Sequence, residues 1–433
     1  VGISFFSFLL RSVSWTQSSA HPTNPSAPWQ PPCAFFLPPG KFRAFAAPTA
    51  YDSGFDAMTP FLPGNSAMRN RLVFLGLAAA LAVSASAQLP SRPRGPMRVA
   101  MLSDGGTFSD NSFSQNCREG LEERMYSGAP LFVQFVEPIS PKNFERKLAA
   151  FAERDYRLLI GIGYRMAPAI QAVAADYPRT LFACVDGDYD EIPHNVWALT
   201  FQTDECSFPA GYLAAAWADE QDPADPAIAF IGGVDVDSVN QFVVGFRNGA
   251  KHYNRIKHKK VRILGGYVGS FDDFEGGKKL AFEQLDAGAD VIFGVGSISG
   301  NGGIAAAKER GKWAIGVDTD QYNTLVDQQD VLLTSCLKRM DRAVNQVVSS
   351  ALDNQFWGGT RYVGNLANHG VGLAPYHDFE NKISERLQKE IVDLQRRILD
   401  GTISTGWEAK PIAKPKKSKA KAAAEEDAPQ AQD

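Results

Sequence analysis

The densest run of side chains able to do chemistry is Ser103-Asp104-Gly105-Gly106-Thr107-Phe108-Ser109-Asp110-Asn111-Ser112-Phe113-Ser114-Gln115. Paired glycines allow close backbone approach, Asp104 and Asp110 can accept hydrogen bonds from hydroxyl or amine groups, and Phe113 offers a flat apolar face. The run suits a polar molecule that carries a ring. It suits an Asp/Ser helix cap over a core phenylalanine equally well.

Further candidates follow later apolar runs. Asp186 comes directly after the run 181–185, where a carboxylate needs a partner; a ligand N–H donor or a turn cap would each supply one. Phe271 lies in a loop after a second-half run, and core packing is its alternative use. Asp318 and Lys338 each stand near the end of an apolar run, and a carboxylate with an ammonium matches vicinal hydroxyls, or makes a structural salt bridge. Asn301, in the Gly300-Asn301-Gly302-Gly303 run ahead of a helical pattern, could donate or accept near the same ligand, although the run lacks the lysine and the glycine spacing of a phosphate loop.

Hydrolytic machinery is missing from the pattern. There is no Gly-x-Ser-x-Gly elbow, no histidine-rich metal cluster and no CxxC pair, so no catalytic residue, cofactor or metal is expected. The chain carries 44 basic and 48 acidic residues, for a net charge of −4. Its basic residues form no stripe, which argues against a nucleic-acid partner.

The elements that must position these residues alternate. Strand-like runs at 98–102, 131–136, 158–161, 181–185, 196–201, 227–232, 261–267, 291–294, 313–317 and 331–335 are separated by helical patterns such as 112–125, 143–153, 208–219, 241–253 and 303–310. Continuous apolar strands between amphipathic helices imply parallel sheets covered on both faces. The fold class is therefore α/β and doubly wound, with about ten strands shared between two lobes. Ligands of such sheets bind at the carboxyl ends of the strands, where the candidates fall.

These segments resemble, in order, the basic membrane protein family of substrate-binding proteins. The family's opening motif appears as Asp104-Gly105-Gly106 through Asp110-Asn111-Ser112-Phe113-Ser114-Gln115, with Ser114 where the family has asparagine. Resembling stretches continue through Asp186, Phe201, Ser207-Phe208-Pro209-Ala210-Gly211, Tyr267 to Asp272, Gly300-Asn301-Gly302, Gly316-Val317-Asp318 and Leu333-Thr334-Ser335 to Lys338.

The resemblance implies a type I periplasmic binding protein: two doubly wound lobes joined by a hinge of crossover strands. It implies a non-enzymatic component of an ABC importer whose ligand is a purine nucleoside (inosine, guanosine or adenosine) and whose partner is an inner-membrane permease. Phe113 and Phe271 would sandwich the base, Asp186 would meet its N–H groups, and Asp318 with Lys338 would clamp the ribose. A sugar receptor of the same fold and a nucleoside hydrolase are the alternatives.

The expected organisation is a first lobe of 97–203 with 337–361 and a second of 207–335 with 362–407. Residues 408–433, a Lys/Ala/Pro run followed by acidic residues, read as a disordered tail. Residues 1–67 read as an upstream extension. Residues 68–87 read as a signal peptide: basic Met68-Arg69-Asn70-Arg71, an apolar run at 72–83, then Ala85-Ser86-Ala87. No cysteine follows the apolar run, so a soluble, monomeric periplasmic protein is expected. Cys117, Cys184, Cys206 and Cys336 are expected as free thiols, although an oxidising compartment permits a disulfide of undetermined pairing.

Overall fold

In the computed structural model, which describes residues 95–137 and 140–408, the apolar runs become twelve strands. They are β1 (Met97–Ser103), β2 (Leu131–Val136), β3 (Leu158–Ile162), β4 (Leu181–Val185), β5 (Val196–Phe201), β6 (Ala227–Gly232), β7 (Arg262–Tyr267), β8 (Val291–Val295), β9 (Trp313–Asp318), β10 (Leu332–Lys338), β11 (Thr360–Gly364) and β12 (Val371–Leu373). The helices are α1 (Phe113–Tyr126), α2 (Phe144–Ala152), α3 (Ala167–Asp176), α4 (Asp204–Gln221), α5 (Asp237–Lys257), α6 (Phe274–Asp286), α7 (Ser297–Glu309), α8 (Gln321–Thr324), α9 (Met340–Leu352) and α10 (Glu385–Leu399).

Two six-stranded sheets result, ordered β11-β5-β4-β3-β1-β2 and β12-β10-β9-β8-β6-β7. Every neighbouring pair is parallel except β10 with β12. Strands β3, β6 and β8 are buried along their whole length, because helices cover both faces. In each sheet the strand order reverses once, between β1 and β3 and between β6 and β8. A crevice at the carboxyl edge is the geometric consequence.

Three passes join the sheets. The chain leaves the first sheet after Phe201, returns to the first lobe after Lys338 and α9, which packs on α1, and crosses finally between Gly364 and Val371. The passes run side by side: the Gln202 amide donates to the Gly364 carbonyl (2.7 Å), Arg339 to Gly370 (2.9 Å), and Leu366 to the Glu205 carboxylate (2.7 Å). All described residues lie within one compact unit.

Some details differ from the sequence expectation. The ten expected strands are joined by β12 and by β11, which pairs with β5 in the first sheet, so the expected lobe boundary at 361/362 falls inside a strand. The Gly300–Gly303 run is not a loop ahead of a helix but the inside of α7. A Cβ at Gly302 would lie 2.1 Å from the Phe274 carbonyl oxygen, so glycine there sets how closely α6 and α7 approach. The upstream extension, the signal peptide and residues 409–433 of the tail lie outside the described residues.

Candidate functional site

A cleft opens where the carboxyl edges of the two sheets face each other. Asp104, Asp110, Phe113 and Asp186 line it from the first lobe, and Phe271, Asp318 and Lys338 from the second. Seven of the eight candidate residues thus come together. Asn301 is not among the lining residues.

The backbone at the cleft is unusual. Asn111, Asp186, Ser297 and Asp318 have φ of 55°, 58°, 51° and 69°, left-handed conformations that cost energy for non-glycine residues and that cluster at functional sites. Asp186 directly follows β4 and Asp318 ends β9. The turn out of each strand aims its carboxylate inward instead of letting the strand continue.

On the cleft floor the Lys338 ammonium donates to the Asp186 carboxylate at 2.6 Å, and both side chains are nearly buried. The ammonium also lies 4.9 Å from the Phe113 ring centroid and 5.3 Å from that of Phe201. Lys338 therefore has Asp186, and not Asp318, as its direct partner. The Asp318 carboxylate instead accepts the Ser112 hydroxyl across the cleft at 2.6 Å. Burial raises the Asp318 carboxyl to about 6, against the opposing pull of Lys338 and the Ser112 hydrogen bond.

Asp110 is occupied by protein donors. Its carboxylate accepts the amides of Ser112 (3.1 Å), Ser114 (3.0 Å) and Gln115 (3.0 Å), which caps the start of α1 and sets Phe113, and it also accepts the Ser297 hydroxyl of the other lobe (2.8 Å). Four donors use the lone-pair directions of a carboxylate. Asn301 stands behind this contact, donating to the Asp110 carbonyl (2.9 Å) and accepting from Gln321 (2.8 Å). Gln321 (3.2 Å) and Thr324 (2.9 Å) both donate to the Asn111 carbonyl. The second lobe thereby grips the Asp110-Asn111-Ser112 turn.

Phe271 is held by its loop. The Ser299 hydroxyl donates to the Ser270 carbonyl at 2.8 Å and accepts the Asp273 amide at 3.1 Å. A Cβ at Gly233 would fall 2.6 Å from the Phe271 ring, so that glycine makes room for it. Phe113 and Phe271 are both half-buried and enter the cleft from opposite lobes.

Several lining residues were not singled out from sequence. Tyr164 and Arg165 follow β3, Ser297 follows β8, and Ser238, Val239 and Phe242 begin α5; Asp272 sits beside Phe271. The strand-end rule that flagged Asp186 would have found Tyr164, Arg165 and Ser297. Arg165 is Asp104's partner, through its amide at 2.9 Å and its guanidinium at 3.5 Å. Burial nevertheless raises the Asp104 carboxyl, with Arg165 opposing. The cleft holds five aspartates against Arg165 and Lys338, an acidic balance.

Two parallel-sheet lobes on a three-pass hinge, with a polar and aromatic cleft between their carboxyl edges, define a solute-binding protein of the type I periplasmic fold. The chain belongs to the Bmp family, described as ABC transporter substrate-binding protein PnrA-like, which matches residues 97–407. It is accordingly not an enzyme but the extracytoplasmic, ligand-capturing component of an ABC transporter, with a small-molecule ligand and a permease as partners.

Among similar proteins, the CD4+ T-cell-stimulating antigen of Listeria monocytogenes serovar 1/2a is 31% identical over 323 residues, covering 70% of this chain and 87% of that protein. The ABC transporter nucleoside-binding protein BmpA of Lactococcus lactis subsp. cremoris is 29% identical, covering 71% and 88%. Among solved structures, an ABC transporter solute-binding protein from Aeropyrum pernix K1 superposes with a TM-score of 0.67 at 26% identity, covering 71% of this chain and 93% of that one. The family and fold expected from the motifs are both borne out.

Proposed function

We propose that this protein binds a purine nucleoside in the interlobe cleft, as a monomeric periplasmic receptor, and presents it to its permease. The observation that carries the reading is the composition of one cleft: aromatic rings from opposite lobes, Phe113 and Phe271, beside the Lys338–Asp186 pair and the buried Asp318. A planar base between two rings gains stacking energy whichever edge it presents. Ribose hydroxyls can donate to Asp318 and accept from Lys338, and base N–H groups can donate to Asp186, each a charge-assisted hydrogen bond. Asp110 and Asn301 serve closure in this reading, and Asp104 with Arg165 borders the ligand.

The acidic balance of the cleft disfavours phosphorylated forms, because a phosphate would face uncompensated carboxylates in a desolvated space. The name of the Lactococcus relative, a nucleoside-binding protein, points the same way. Native mass spectrometry of freshly purified protein tests the proposal. The expected result is a bound mass that denaturation releases as inosine, guanosine or adenosine; release of a monosaccharide instead would replace this reading with the sugar receptor.

A further inference from the structure

Two of the four described cysteines meet at the hinge. Cys206 lies in the first turn of α4, just past the first interlobe pass, and Cys336 lies in β10, just before the second. The Cys336 Sγ reaches the Cys206 carbonyl at 3.8 Å, and the Cys206 Sγ reaches the Leu337 carbonyl at 3.7 Å. Both residues are fully buried, and in this structure both are free thiols. Burial, together with the neighbouring Cys206 thiol, holds the Cys336 thiol well above its ordinary range. Cys117 and Cys184 sit apart, on α1 and β4.

We propose that Cys206 and Cys336 are the two halves of a disulfide that forms as the chain folds in an oxidising compartment and ties together the roots of the first two hinge passes. A low-molecular-weight disulfide such as oxidised glutathione is the electron acceptor. The first thiolate attacks it, releasing one glutathione thiolate and leaving a mixed disulfide; the second cysteine's thiolate displaces the other glutathione. One S–S bond is gained in the protein, one is lost in the oxidant, and the two cysteine protons end on two glutathione thiols.

Because the folded pair is closed to solvent, oxidation must precede final packing. Both cysteines belong to elements of the second lobe, α4 and β10, so the bond leaves lobe closure free while fixing the base about which the lobe turns. It closes a loop of 130 residues, a span for which a cross-link strongly restricts the unfolded chain.

The test is refolding of the reduced full chain in a buffer of reduced and oxidised glutathione, followed by alkylation in denaturant and peptide mass mapping. The expected outcome is a linked pair of peptides carrying Cys206 and Cys336, with Cys117 and Cys184 alkylated. Recovery of Cys206 and Cys336 as alkylated peptides, or linked to other cysteines, overturns the proposal. As a second readout, the oxidised protein should melt roughly 5 °C or more above its reduced form. The variant C336S should lose that dependence on reductant while C117S/C184S keeps it; an equal response of both variants contradicts the assignment.

Discussion

The ammonium of Lys338, the last residue of β10, crosses the cleft floor to the carboxylate of Asp186 at the end of β4, a 2.6 Å contact between the two lobes. With side chains 3% and 10% exposed, neither charge can turn to water when the other is removed. Replacing Lys338 by Met should therefore destabilise the protein by about 3 kcal/mol, the cost of stranding a buried charge. The K338M/D186L double variant should recover most of that loss. Urea unfolding checks this, and additive losses in the double variant would show that the two charges act independently.

Asp318 makes ligand affinity depend on pH. With its carboxyl raised to about 6 by burial, an appreciable part is protonated at pH 5 to 6 and cannot accept a second donor hydrogen bond as the carboxylate does. Affinity should thus fall as pH drops through about 6, whereas an ordinary aspartate would hold it down to about 4. For folding the sign is opposite. A raised carboxyl in the folded state means that stability declines as pH rises from about 4 to about 6 and is level above. In D318N the affinity should be weaker at neutral pH and flat across this window; an unchanged slope by calorimetry would assign the titration to another group.

The grip on the Asp110-Asn111-Ser112 turn predicts that closure does not wait for ligand. Ser112 to Asp318 and Ser297 to Asp110 are direct interlobe hydrogen bonds, each with a net worth of about 1 kcal/mol. Removing both in S112A/S297A should lower the closed-to-open ratio of ligand-free protein by more than tenfold. Small-angle scattering should show a larger radius of gyration for the ligand-free variant than for wild type, returning to the wild-type value with saturating ligand. Identical ligand-free profiles would mean that the hinge alone sets the resting shape.

Much of this was legible in the sequence because parallel sheets write themselves plainly: buried strands are apolar runs, and cleft residues must follow them. Asp104, Asp186 and Asp318 were visible on that ground. Partner choice was not, since pairing Lys338 with Asp186 instead of Asp318 depends on which strand ends the hinge brings together. Asn301 was misleading for a related reason. Its glycine neighbours suggested a ligand loop, but they serve helix packing, and the amide holds the turn behind the cleft. The short β12 has only three residues, too few for a periodic signal.

The central claim is that the cleft is built around a base held between Phe113 and Phe271, and isothermal calorimetry of ligand-stripped protein tests it most directly. Purine nucleosides should bind, pyrimidine nucleosides more weakly, and nucleoside monophosphates and monosaccharides scarcely at all. F113A and F271A should each lose roughly 1 to 3 kcal/mol of purine nucleoside affinity, the scale of base stacking on one aromatic ring. Micromolar or tighter binding of a monosaccharide, with no heat from inosine, guanosine or adenosine, would contradict the account.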